Sequence, residues 1–593
     1  MTEFLTGLFL LIQGVLLCLK VDLNFVEAGL LLLLCLFGRR LLLGRWFDTI
    51  EKCASRLSRR TALAIALAFL LPILIRTAFL PWAPVPAPWI SDEFSHLLIA
   101  DTLAHGRLVN PMHPLWAHFE TIHEITRPVY ASVYFPGLGA VMALGQLLGH
   151  PWIGILLSSG AMCAALLWML YGFLPPRWAL LGGAIAILRW GALSIWVNSY
   201  WGGTVAAAAG ALVLGSYARL RHRPTVKLGV VLGIGLVWLA YTRPLEGFVM
   251  AAPAVAAIAW RTRRSGLLRF ALPAAVVCGA GLVALGVYFK AITKDPFTTP
   301  YRLNQAMYGW PLTLPWQRTS APHFRNFNMQ LYYEYERCAQ FEKTGLAGIE
   351  RSTAHLAPIW RFFLGPAMML PLFWTWRSWC GPKVRIPLVC LIASMAVGAA
   401  IVAYPHYIAP AAGCWLVLSV QSLRALRLRG RQTSRTGVAL TRAVVMTCAI
   451  MLPVRAFFDS TAIPPASPAS RMFSAQGPGE GIARERLLRR LSATEGRHVV
   501  FVQYNRQFFT DTEWVYNGAD IDSQKVIWVQ DMGPEQNQEV LRYYRDRRFW
   551  LVKPDDAADR ILPYRPELSR IFARPIRAEV CAQAPEIHSI RRR

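Results

Sequence analysis

Acidic residues are scarce in this 593-residue chain: 34 Asp and Glu stand against 62 Lys and Arg, a formal net charge of +28. That excess would suit a nucleic-acid binder. However, no basic soluble segment with interleaved aromatics appears, and the Lys and Arg fall in short runs between apolar stretches. Nucleic acid is therefore excluded as a partner, because such clusters are what cytoplasmic loops of a membrane protein carry. The eleven Cys include no Cys-x-x-Cys pair. Cys163, Cys278, Cys390 and Cys448 lie inside apolar runs, where they read as small buried hydrophobes rather than zinc ligands or a disulfide framework. No P-loop, no G-x-S-x-G elbow and no H-E-x-x-H is present, which removes support for ATP-driven transport and for serine or zinc hydrolysis. The N-terminus lacks a basic region and an A-x-A-like site, so the first apolar run reads as an uncleaved anchor. No internal repeat at a fixed period is evident.

What the chain has in abundance is apolar length. It is 55% hydrophobic with a mean hydropathy of +0.36. Apolar runs recur at about 4–19, 25–38, 61–80, 151–172, 178–196, 201–218, 226–241, 245–260, 267–289, 357–376, 386–403, 406–423 and 437–457. The expected fold is an all-α polytopic membrane protein of about thirteen spans. The basic clusters Arg39 to Arg60, Arg219 to Arg223, Arg261 to Arg264, Lys383-Arg385 and Arg424 to Arg435 share the cytoplasmic side only if 133–149 does not span. That segment, opening Tyr134-Phe135-Pro136-Gly137, reads as a helix in the outer interface. The polar motifs then collect at the outer face, with the loops 81–150 and 290–356 and the C-terminal tail.

The expected organisation is an N-terminal membrane hairpin with a basic cytoplasmic segment (1–60), a membrane catalytic domain (61–460), a Pro/Ser/Ala/Gly-rich linker (461–481) and a small soluble α/β domain (482–593). Within the last, 498–504, 525–530 and 548–552 are β-prone and 535–544 is helix-prone.

The densest chemistry lies in the first outer loop. Asp92 and Glu93 open a segment in which Asp92 and His96 share one helix face, as do Asp101 and His105. A general base needs a carboxylate or imidazole within reach of its proton. The other reading of Asp92 is a helix cap beside Ser91. His105, His113, His118, Glu120, His123 and Glu124 follow. Such a set can hold a divalent ion, although the spacings match no standard zinc pattern. Arg243 and Glu246 flank Pro244 at a helix mouth; they form either a phosphate site or an internal ion pair. Arg76, near the outer end of its run, either joins Arg243 on a phosphate or snorkels. Asn198, Tyr200 and Trp201, with Gly202 and Gly203, suit a sugar or an interfacial aromatic belt. Tyr308, Trp310 and His406, in Tyr308-Gly-Trp-Pro311 and Tyr404-Pro-His-Tyr407, have the same character.

The stretch Ser91-Asp-Glu-Phe-Ser-His-Leu-Leu-Ile-Ala-Asp-Thr-Leu-Ala-His-Gly106 resembles the first-loop pattern of the GT-C glycosyltransferases. Its nearest likeness is to the branch of protein O-mannosyltransferases and bacterial aminoarabinose transferases. The order of elements over 61–457 is similar too. The resemblance implies a multi-pass glycosyltransferase of the bacterial inner membrane, with its site and C-terminal domain extracytoplasmic, using a sugar linked to polyprenyl phosphate. It implies Asp92 as base with Glu93 as its partner, and a donor-phosphate role for Arg243. The chain departs from the pattern where it has Tyr134-Phe135-Pro136, since many members carry Lys or His before that Pro. The expected function is transfer of that sugar to an acceptor at the outer face, with no certain cofactor beyond a possible divalent metal. A transporter or lipid flippase for a glycolipid or polysaccharide precursor is the alternative; it predicts broken helices in two repeated halves. A non-catalytic scaffold is the third reading.

Overall fold

The computed structural model describes residues 23–261, 264–309, 324–336, 356, 359–400, 404–429, 435–459, 482–504, 513–554 and 560–569. The first expected span, 4–19, lies outside them. α1 (Leu23–Phe37) leads through a short turn to the basic α2 (Arg45–Arg59) and then to α3 (Thr61–Ala78). The segment 81–150 carries α4 (Ser91–Ala104), the two-residue strands β1 (Glu124–Ile125) and β2 (Ala131–Ser132), and α5 (Gly137–Leu147). α6 (Pro151–Phe173), α7 (Pro176–Ala186), α8 (Thr204–Leu220), α9 (Val226–Thr242), α10 (Pro244–Arg261) and α11 (Arg264–Thr293) follow.

Small residues set the approach of these helices, because in lipid close packing stands in for the hydrophobic effect. α5 crosses α6 at Gly145 and Gly154, where an added Cβ on Gly145 would stand 2.2 Å from the Gly154 nitrogen. α8 is rich in Ala and Gly and packs against α6 on one side and α9 on the other. Helix starts are marked in the sequence. His150 precedes Pro151 and accepts from the Trp152 amide (3.1 Å), and Thr225 accepts from the Leu228 amide (3.3 Å).

α12 (Pro300–Tyr308) and α13 (Phe327–Glu336) lie within the segment 290–356. α14 (Gly365–Trp374), α15 (Arg385–Ala400), α16 (Ala412–Arg429) and α17 (Thr436–Asp459) complete the apolar part. Among the described residues four helices are long and apolar enough to cross a membrane: Thr61–Ala78, Pro151–Phe173, Gly266–Thr293 and Thr436–Ala456. Shorter apolar helices of 10–17 residues stand before and between them. α5, with 11 residues, spans about 16 Å, too short to cross. The expected run 178–196 is not one α-helix. α7 ends at Ala186 and gives way to a π-turn, Ile187–Gly191. There Arg189 turns inward to meet Glu27 of α1 (2.9 Å), whose second oxygen takes Arg455 of α17 (2.8 Å). This buried group ties three helices together.

The C-terminal segment has its own sheet. α18 (Ile482–Ala493) precedes β3 (His498–Val502) and β4 (Val526–Gln530); α19 (Pro534–Tyr543) connects to β5 (Arg548–Val552) and β6 (Ile561–Pro563). The strand order is β4-β3-β5-β6, with β3 parallel to both neighbours and β6 antiparallel. β3 and β4 are buried throughout, as parallel strands covered on both faces are. This unit is seated on the segment 81–150. Leu98, Leu115, Phe119 and Tyr130 share one core with Val499, Phe501 and Ile527.

Candidate active site

α4 begins where the sequence places two acids. Asp92 and Glu93 occupy its first turn, where the helix dipole favours negative charge. Their environments diverge at once. Glu93 is buried and accepts the backbone amides of Trp89 (2.9 Å) and Tyr200 (2.8 Å). Burial pushes its carboxyl up to about 7, against the pull of those amides. Glu93 thus joins the start of α4 to the turn before α8. Asp92 keeps a fifth of its side chain exposed, accepts from the Tyr134 hydroxyl, and lies 3.8 Å from His123 Nδ1.

His123 holds this corner. Its φ is +63°, a left-handed backbone that costs a non-glycine residue about 1–3 kcal/mol and persists only where its surroundings enforce it. They do. Nδ1 meets the Ser91 hydroxyl (3.0 Å), Nε2 meets the Tyr332 hydroxyl of α13 (3.1 Å), and its carbonyl takes Ser95 (2.6 Å) and the Val133 amide (3.1 Å). The ring beside Asp92 is therefore fixed from both loops.

Across Tyr134 the site continues. His96 stacks on the Tyr134 ring (4.4 Å) and is buried. Burial first, and then the Arg243 charge, hold its imidazole down to about 3, so it is neutral at physiological pH. Arg243 sits in the break between α9 and α10, its guanidinium 4.2 Å over the Tyr407 ring. Tyr301 lies edge-on to Tyr134 (5.6 Å), and the phenols of Tyr301 and Tyr407 both feel the charges of Arg243 and Asp92. Glu246, buried in the first turn of α10, lies in the same field. Trp201 packs against Tyr404 (4.7 Å) and His406 (4.5 Å). His96 Nδ1, His406 Nε2 and the Trp201 indole N–H are buried with no hydrogen-bond partner among the described residues. Unpaired buried polar atoms are costly, and several in one place mark a position for polar ligand atoms.

The structure thus brings Asp92, His96, Arg243, Glu246, Trp201 and His406 together. It places the other expected residues elsewhere. Arg76 is fully buried, with its donors committed to Asn198 (2.7 Å) and the carbonyls of Ala83 (2.8 Å) and Pro84 (3.0 Å). Asn198 is thereby a partner of Arg76, and Tyr200 donates to the Pro86 carbonyl (3.1 Å). These three brace the loop under Glu93. Glu124 is turned to the C-terminal unit; burial, then the Glu513 charge, push its carboxyl well above the usual range. Tyr308 donates to Glu120 (2.6 Å). Trp310 lies outside the described residues. The loop histidines do not converge: His105 bonds its own helix, His113 meets Asp522 (3.1 Å), and no group of three metal-ligating side chains occurs among the described residues.

In the sequence Tyr134 stands out only as a departure from the family pattern; its phenol is the direct partner of Asp92. Tyr407 lies in a motif that carries no assigned role, and no local signal marks Tyr332.

No family model and no curated protein matches the chain. Similar solved structures include the apo form of ArnT from Cupriavidus metallidurans, with 14% identity over 82% of this chain and 92% of that one, TM-score 0.45. ArnT from the same organism bound to undecaprenyl phosphate gives 15% over 82% and 93%, TM-score 0.47. The Archaeoglobus fulgidus oligosaccharyltransferase with zinc and sulfate gives 12% over 83% and 67%, TM-score 0.46. Both proteins are GT-C superfamily members, the group that the first-loop motif resembles. At these scores the likeness assigns neither substrate nor residue roles to this chain.

Proposed function

We propose that this chain is an integral membrane glycosyltransferase that moves a sugar from a polyprenyl-phosphate donor to an acceptor hydroxyl at the extracytoplasmic face. The observation that carries the reading is the pairing, in one aromatic-walled site, of a partly exposed carboxylate (Asp92) with an arginine (Arg243) resting on a ring. A lipid-phosphate donor needs both. Arg243 holds the phosphate, whose charge grows as the glycosidic bond breaks. Asp92 takes the proton of the acceptor hydroxyl as its oxygen bonds to the anomeric carbon. The electron pair of the broken C–O bond stays on the lipid phosphate, a leaving group that needs no proton. Tyr134 and His123 orient Asp92. Trp201, His406 and His96 offer a ring face and unpaired polar atoms to the sugar.

The test is transfer of radiolabelled sugar from a panel of polyprenyl-phosphate donors by the purified full chain in detergent, wild type beside Asp92→Asn, with and without EDTA. Transfer by the wild type alone supports the proposal, and EDTA sensitivity would add a metal to it. Equal transfer by Asp92→Asn would end the assignment of the base. Movement of intact lipid across a vesicle wall without transfer would favour the flippase.

A further inference from the structure

The strongest uncommitted feature lies at the opposite end of the bundle from Asp92. Between Arg39 and Arg60 seven Lys and Arg stand against two acids. Both acids are engaged from within. Arg427 of α16 grips Glu51 with two bonds (2.8 and 2.7 Å). Arg442 of α17 reaches Glu51 (2.9 Å), Asp48 (2.5 Å) and the Leu42 carbonyl (2.8 Å). The carboxylates that would neutralise this segment are therefore tied to the helices above it. None of the seven cations forms an ion pair among the described residues.

The same surface is apolar as well as basic. Phe37, Leu41, Trp46 and Ile50 are exposed beside Arg39, Arg40 and Arg45. A groove of about 620 Å³ opens there, lined by Phe37, Arg39, Arg40 and Leu43. α1 above it shows Leu32, Leu33 and Leu36 outward, as a lipid-facing helix does. The groove thus continues an apolar wall into a pair of guanidiniums. Tail-to-head continuity with positive charge is the outline of one ligand class.

We propose that this groove is a binding site for an anionic phospholipid. Arg39 and Arg40 take the phosphate headgroup, Phe37 and Leu43 meet the start of an acyl chain, and the basic face of α2 lies along the same leaflet. Inorganic phosphate shares the charge but lacks the tail, so it does not suffice.

The experiment is a thermal melt of the purified full chain in detergent, titrated with phosphatidylglycerol, phosphatidylcholine or inorganic phosphate. Phosphatidylglycerol is expected to raise the Tm saturably, and the other two are not. Arg39→Gln/Arg40→Gln should leave the lipid-free Tm unchanged and weaken the lipid response about fivefold per cation removed. Native mass spectrometry of the same samples should show one retained phosphatidylglycerol lost in the variant. Arg39→Lys/Arg40→Lys, which keeps the charge, should retain most of it and serves if the Gln variant fails to fold. Equal responses to both lipids, a response to phosphate alone, or an unchanged response in the Gln variant would each overturn the proposal.

Discussion

Two neighbouring regions each contain a carboxylate and an arginine, and they differ in what is left over. Around Glu93 and Arg76 nearly every polar atom is answered from within: two backbone amides for the acid, Asn198 and two carbonyls for the base. Around Asp92 and Arg243 the acid has a phenol and an imidazole 3.8 Å away, the base has the ring and hydroxyl of Tyr407 and the charge of Glu246, and three nearby polar atoms have no partner among the described residues. The first region commits its acid and its base to the fold; the second leaves three polar atoms beside them without a partner among the described residues. Adjacent positions in one motif can therefore meet quite different surroundings.

The largest expected effect separates the two acids directly. Asp92→Asn should lower transfer by about 10²–10⁴-fold, the usual worth of a general base, with an unchanged Tm. A fall in Tm matching the loss of activity would move Asp92 to the groups committed to the fold. Arg243→Gln should weaken binding of polyprenyl phosphate by about 1.5–3 kcal/mol, the worth of a hydrogen bond to a charged group, read as a raised donor KM. Arg76→Met should do the reverse. It leaves the carbonyl of buried Ala83 without its donor, at about 1–3 kcal/mol, and takes one bond each from Asn198 and the exposed Pro84, so the Tm falls while the donor KM of the surviving protein holds. A raised KM with intact stability would break the comparison and return Arg76 to the phosphate. The last test is the pH response of Glu93. Its folded carboxyl stands at about 7, above the free value of 4.5. Its contribution to stability is thus fully present below about 4.5 and is lost as pH rises through 7. Melts between pH 4 and 8 should show the stability of the wild type falling relative to Glu93→Gln; parallel curves would show that Glu93 does not titrate there.

Much of this was legible because it is local. Asp and Ser at a helix start, Pro244 at the first position of α10, the Gly-interrupted segment after Pro136 and the β-prone runs near 500, 527 and 550 all announce themselves within a few residues. The sorting of Asp92 from Glu93 was not legible, since it depends on the Tyr200 amide, over 100 positions away. Arg76 looked free because its carbonyl acceptors leave no mark in a sequence. The partner of Arg189, a charge within an apolar run, is Glu27, 162 positions earlier.

The seat of the C-terminal unit has a consequence in time. Thr121 of the first loop finds Glu513 across 392 positions, and Asp101 finds the Ala519 amide across 418. At about 5–20 residues per second of synthesis, the loop that carries Asp92 waits roughly 20–80 s for its last partners. During that interval Glu124 and Thr121 sit uncovered. A chain ending near residue 480 would keep them so permanently. We predict that such a chain is cut by protease within residues 105–130, where the full chain resists; resistance in both would show that the loop matures without its distant half.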